Sequence, residues 1–273
     1  MTPQQTENTM IAIDFHTHAF PDGLAKRAME SLQKNCPFKA VGDGTIAGLL
    51  KAMDAADVDV SVICTIATKV GQVEGIVKWC EEIRTDRIDP LPSVHPDEPD
   101  AVKWIHRFAN DGFVGIKLHP MYQDFAFDDP RLDPIWDALS KTGLLIASHC
   151  GRDIAFPEDD DRGSPKRIRS VIERFPNLRL VCTHMGGWRS WDLAEQYLVG
   201  QNVYLETSFS LTELSPERAT DIIRRHNPKH VLFGTDWPWN LPTKEVELLN
   251  RLGLSDAEKN AILYNNAAKL LGY

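Results

Sequence analysis

The sequence predicts a single-domain α/β fold, a closed TIM-like (β/α)8 barrel, and three observations carry that expectation. Eight short runs rich in apolar and β-branched residues alternate with amphipathic helical stretches along the whole chain. No Gly/Ser linker or low-complexity segment divides them. The length, 273 residues, is close to the ~250 residues that such a barrel needs. An open, doubly wound sheet is the alternative. Its first turn is normally glycine-rich, whereas the first turn here, "FHTHAF" at residues 15–20, has no glycine.

In chain order, strands are expected at 10–15, 60–65, 88–94, 114–118, 144–148, 178–183, 203–207 and 230–234. Helical spacing of apolar residues marks 45–56, 73–84, 99–110 and 133–142, the last stopped by Gly143. Ser164-Pro165 opens a helix that closes before Phe175-Pro176, and a short helix spans 190–197. Ser215-Pro216 opens another, with proline suited to a first turn. Ser255 and Glu258 form a capping-box pattern before a last helix ending at Leu271-Gly272. Residues 1–9 are polar and read as a flexible terminus, and 10–273 as the barrel domain.

Composition excludes several classes. A net charge of −9 disfavours nucleic acid, whose phosphates reward basic patches. The start of the chain lacks the apolar segment of a signal peptide, and no apolar run approaches the ~20 residues of a membrane span. Five cysteines, an odd number without a Cys-x-x-Cys pair, argue for reduced thiols in a cytoplasmic protein.

The polar residues fall in one place. Six of the nine histidines, His16, His18, His95, His119, His149 and His184, lie at or just past the C-terminal end of an expected strand. Lys117, Glu206 and Asp236 join them. In a (β/α)8 barrel those ends form one rim, where active sites lie. Strand alternation puts Asp14, His16 and His18 on one face. Polar groups there are costly in a plain core, so either that side of the strand is exposed or something binds there. Imidazoles with a carboxylate suit a zinc-like divalent ion. His16 and His18 can reach one ion from a single strand, with His149 and Asp236 from the opposite wall and His184 left to transfer protons. His95 can equally cap a turn, Glu206 can bond a neighbouring strand end, and Cys182 can be an inert buried thiol.

The motifs "IDFHTH", "GIKLHP", "ASHCG", "CTHMGG", "FGTDWPW" and "NNAAKLLG", in that order along nearly the whole chain, resemble the amidohydrolase superfamily, and most closely the branch of aminocarboxymuconate-semialdehyde decarboxylase and its hydrolase relatives. The resemblance implies a distorted barrel with one divalent metal, zinc ahead of manganese. It implies His16, His18, His149 and Asp236 as ligands, with Asp236 and His184 handling the proton. A second metal bridged by a carboxylated Lys117 is the subordinate possibility.

Two activities follow. In the first, metal-activated water attacks a lactone, ester or amide of a small carboxylate-bearing substrate. In the second, the same metal serves non-oxidative decarboxylation of an aromatic or muconate-type acid. The compactness of the chain tilts the sequence reading to hydrolysis. Lys117, His119, Arg152, Trp188 and Trp237 are candidate substrate contacts, with Trp191 and Trp239 also on rim loops. Asp14 and Glu206 are expected to support the ligands from behind. The charged loop 156–167 reads as a solvated loop or a lid. The expected partner is a small-molecule substrate, with a homodimer possible on the same aromatic residues.

Overall fold

The computed structural model describes residues 12–34 and 36–273. The terminal segment 1–9 and the start of the expected first strand lie outside the described residues. Eight parallel strands follow in order: β1 (Ile13–Thr17), β2 (Val60–Cys64), β3 (Ile88–Leu91), β4 (Gly115–Leu118), β5 (Leu145–Ser148), β6 (Arg179–Cys182), β7 (Tyr204–Glu206) and β8 (Val231–Leu232). They pair as β1-β2-β3 and as β4-β5-β6-β7-β8. Phe15 N donates to Phe233 O at 2.9 Å at one seam, and Lys117 N to Pro92 O at 2.9 Å at the other. The expected (β/α)8 barrel is therefore closed.

Helices α1 (Asp22–Gln33), α2 (Ile46–Asp54), α3 (Val73–Ile83), α4 (Ala101–Asn110), α5 (Asp133–Thr142), α6 (Pro165–Arg174), α7 (Trp191–Tyr197), α8 (Pro216–His226), α9 (Pro242–Asn250), α10 (Asp256–Asn260) and α11 (Asn266–Leu271) surround it. Gly143 and Gly272 end their helices in the left-handed region, at φ 71° and 88°. Ser255 and Glu258 make both bonds of the capping box. The last helix is interrupted by one π turn, Ala261–Asn265. Helices α1 and α9 were not expected from the sequence. Neither has a side-chain cap at its start, and α9 buries Glu245 where the pattern calls for an apolar residue.

Alternation along each strand separates two buried layers. Ile63, Ile116, Ile146, Leu180 and Cys182 face the helices. Ile13, Phe15, Val62, Leu145, Ala147 and Val181 fill the barrel interior with Leu270 of α11. One irregularity matters. Asp14 pairs with Ser61 but Thr17 with Ile63, so β1 holds one extra residue. Phe15 thus belongs to the interior layer, yet His16 and His18 also turn inward. Asp14 does not share their face, as simple alternation implied; it bonds Thr235 instead. Among the described residues no helix is long and apolar enough to cross a membrane.

Candidate active site

The strand ends open into a cavity of about 730 Å³. Unusual backbone places its polar groups. His184 and Asp236 have φ 58° and 61°, a region that non-glycine residues occupy only when surrounding bonds hold them there. Asp236 N donates to His16 O at 2.7 Å, and Trp191 Nε1 donates to His184 O at 3.1 Å.

Three of the four expected ligands converge. His16 Nε2 and His18 Nε2 are 3.1 Å apart, and Asp236 Oδ1 lies 3.1 Å from His18 Nε2 and 3.6 Å from His16 Nε2. His18 Nδ1 faces the Cys64 carbonyl at 2.8 Å, which can only accept, so the ring donates there and its Nε2 carries a lone pair. His16 Nδ1 is occupied by Glu206 Oε2 at 3.0 Å and Ser208 Oγ at 3.1 Å. Two acceptor nitrogens and a carboxylate oxygen thus point at one another. Spacings of this size are what metal–ligand bonds of about 2.0–2.2 Å impose, and the donor set fits a divalent cation. Lys117 Nζ lies 3.0 Å from His16 Nε2; an ion on that nitrogen would replace this hydrogen bond.

His149 stands on the adjoining wall, outside the His16–His18–Asp236 cluster. Its Nε2 donates to Arg152 O at 2.9 Å, and its Nδ1 faces His184 Nε2 at 3.1 Å. His184 Nδ1 in turn donates to Ser208 O at 3.1 Å. Here, too, two lone pairs face each other. His119 stacks on His149, with ring centroids 4.3 Å apart, and its Nε2 lies 3.3 Å from Asp153 Oδ2.

Burial sets the charge states. It lowers His16 well below the usual imidazole range, with help from Lys117 and the neighbouring histidines. It lowers His149, and brings His119 and His184 to about 3, both also through His149. For Asp236 burial pulls upward, but its contact with His18, and after it His184 and the Lys117 ammonium, outweigh burial and hold the carboxylate at about 2. Asp153 is likewise lowered against its burial, by His119. Behind the site, burial raises Asp14 to about 7 and Glu206 to about 8 despite hydrogen bonds from Thr235 and Ser208 respectively.

Of the candidate substrate contacts, Lys117, His119 and Trp188 line the cavity, as does Trp239. The Arg152 and Trp237 side chains do not. Arg152 is half exposed, with Glu158 its nearest acid at 4.0 Å. Trp237 is 1% exposed and packs on Gly42, where an added Cβ would sit 2.5 Å from the indole; it is a packing residue. His95 accepts from Asp97 N at 3.1 Å, the turn-capping role. Cys182 is buried on the helix side beside Cys150, and burial pushes its thiol well above the usual range. Loop 156–167 is tied down by Arg162 and Arg167, paired to Asp124 and Asp128; Asp153, Ile154 and Ala155 before it line the cavity instead. Sequence reasoning missed Asp153, one position past Arg152, and Ser208, which bridges His16, His184 and Glu206.

Fold and site together define a barrel enzyme whose strand ends can hold a divalent metal. The amidohydrolase family model matches residues 13–273, and the chain belongs to that family. A curated relative is the γ-resorcylate decarboxylase of Rhodococcus jostii, 23% identical across 68% of this chain and 71% of that one. An uncharacterized TIM-barrel protein from Bordetella bronchiseptica superposes with a TM-score of 0.75 at 19% identity, covering 96% of this chain and 98% of that one. The 5-carboxyvanillate decarboxylase of Novosphingobium aromaticivorans, solved with manganese and a nitrobenzoic acid, gives a TM-score of 0.72 at 16% identity, covering 100% and 98%. At these identities the structures establish the shared fold.

Proposed function

We propose that the enzyme is a metal-dependent carboxy-lyase that removes CO2 from an aromatic or muconate-type acid without a redox cofactor. The observation that carries this reading is where the polar groups stop. His16, His18, Asp236, Lys117 and the His149–His184 pair gather at the strand ends, and most of the remaining cavity wall is apolar. An acid can set its carboxylate among the former and its ring or chain against the latter. The decarboxylases among the relatives support this over the hydrolysis that chain length favoured.

In the reaction, the carbon bearing the carboxylate takes a proton, the C–C bond breaks with its electron pair returning to the ring or diene, and CO2 leaves. Asp236 and His184 are the groups placed to carry that proton. Ser208 and Arg152 carbonyls fix the outward nitrogens of His184 and His149, so the inward nitrogens stay free to relay it. The ion that His16, His18 and Asp236 would hold, with His149 as the further candidate ligand, supplies positive charge for the substrate carboxylate. One zinc or manganese ion is sufficient; a second, bridged by carboxylated Lys117, would appear as two equivalents on metal analysis.

The test is a panel of hydroxybenzoates, muconates and lactones given to protein loaded with zinc or manganese in D2O. The expected result is CO2 together with one deuterium at the vacated carbon. Acid release from lactones with no CO2 from any panel member would return the assignment to hydrolysis.

A further inference from the structure

The cavity is larger than its chemistry requires. A volume of about 730 Å³ falls in the range that holds a drug-sized ligand, not a single ring with one carboxylate. The excess lies away from the strand ends. Leu24, Ala28 and Leu32, four residues apart along α1, line one wall, and Ile76 and Trp79 of α3 line another. The carboxylates and the lysine that line the cavity, Asp153, Asp236 and Lys117, come from strands or strand-end loops; none comes from α1 or α3.

These apolar side chains are only partly taken up by the core, against which Ile76 and Trp79 pack. Ile76 and Trp79 are partly exposed, and Leu24 is 45% exposed. Gly75 supplies an independent sign. Glycine is unfavourable inside a helix, and an added Cβ at Gly75 would meet nothing within 4 Å, so no packing demand explains it. Gly75 also lines the cavity, so a large side chain placed there would stand at the mouth of that space.

We propose that this arm between α1 and α3 is a binding subsite for a hydrophobic tail on the substrate. The substrate is then an acid with an aliphatic or aryl extension of several carbons, its carboxylate at the strand ends. The inference rests on the reading of the His16–His18–Asp236 cluster as the seat of the acid group.

The test is calorimetric binding of linear n-alkyl carboxylates, butanoate to decanoate, to the metal-loaded full chain. Burial of each methylene tightens binding about fourfold, so decanoate should bind at least a hundredfold more tightly than butanoate. Gly75→Trp, which fills the arm, and Ile76→Asp, which charges it, should each cut that ratio at least tenfold. Using a ratio within one variant cancels any partial loss of folded protein. A series flat with chain length, or a ratio indifferent to both substitutions, overturns the proposal. Turnover is not read, so the two readings fail separately. Absence of CO2 release leaves the chain-length effect standing, and a flat series leaves decarboxylation of small acids standing.

Discussion

His226 and His149 are both buried histidines, and the contrast between them separates the two ends of the barrel. His226, at the C-terminal end of α8, has both ring nitrogens occupied by backbone: Nδ1 accepts from Gly200 N at 3.2 Å and Nε2 faces Val203 O at 3.0 Å. It is complete as it stands. His149 and His184 each satisfy one nitrogen on a carbonyl and turn the other toward a second lone pair, 3.1 Å away. His18 likewise sets one nitrogen on a carbonyl, that of Cys64, and turns the other toward His16 Nε2, which Lys117 Nζ also meets. Buried polar groups are normally paired, so an imidazole paired on one side only is waiting for a cation or a proton. Burial alone does not distinguish a structural histidine from a chemical one; the second nitrogen does.

The largest effect should come from the unfinished end. Asp236→Asn removes a charge from the cluster without changing its shape. Under the proposed carboxy-lyase reaction, CO2 release should fall about 10³-fold, equivalent to about 4 kcal/mol, while the denaturation midpoint holds or rises slightly. A loss of only a few-fold would break the contrast at its strongest point. His226→Ala should behave in the opposite way. It orphans the Gly200 N–H and the Val203 carbonyl and leaves a void, at about 3 kcal/mol of stability, with kcat per folded molecule unchanged. Denaturant titration beside active-site counting reads both.

A smaller effect tests the layer behind the candidate metal ligands. Glu206 and Ser208 hold His16 Nδ1 and so direct Nε2 inward. Glu206→Gln keeps the shape but replaces one of the two acceptor oxygens with an NH2 donor. Metal affinity should weaken about 10- to 100-fold, with kcat recovered at saturating metal. Unaltered affinity in a competition titration with a chelator would mean that Glu206 only fills space.

The sequence carried the barrel and most of the rim because both follow from strand period and chain order. His16, His18, Asp236 and the Gly143 and Ser255 helix signals needed no long-range information. The misplacement of Asp14 has a definite cause: a one-residue bulge in β1 leaves no mark in an alternating pattern, yet it reverses which residues turn inward. Trp237 looked like a rim aromatic because its burial depends on Gly42, almost two hundred residues away in the chain. Arg152 and Asp153 differ by a single step in an irregular loop, where no period tells which side chain enters the cavity. Helix α1, which shapes one wall, lacks a cap signal. The polar residues of the rim were legible, and the shape around them was not.

The smallest effect sharpens the contrast through pH. Burial, with a further contribution from His230, lowers His226 from 6.5 to about 4 against its Val203 hydrogen bond. The folded state therefore holds this ring neutral over a range in which the unfolded chain protonates it. Its contribution is complete above pH 6.5, diminishes as the pH falls from there toward 4, and changes no further below. Between pH 7 and pH 5 the loss from this one group is about 1–2 kcal/mol. His16, His119, His149 and His184, lowered by burial in the same way, add losses of the same sign, so the wild-type fall alone proves nothing. The informative quantity is the difference between wild type and His226→Gln. The variant should be less stable at pH 7, yet lose about 1–2 kcal/mol less on going to pH 5. Parallel stability curves for the two proteins would show that His226 does not titrate differently on folding, and the division between complete and unfinished histidines would then have to rest on the rim alone.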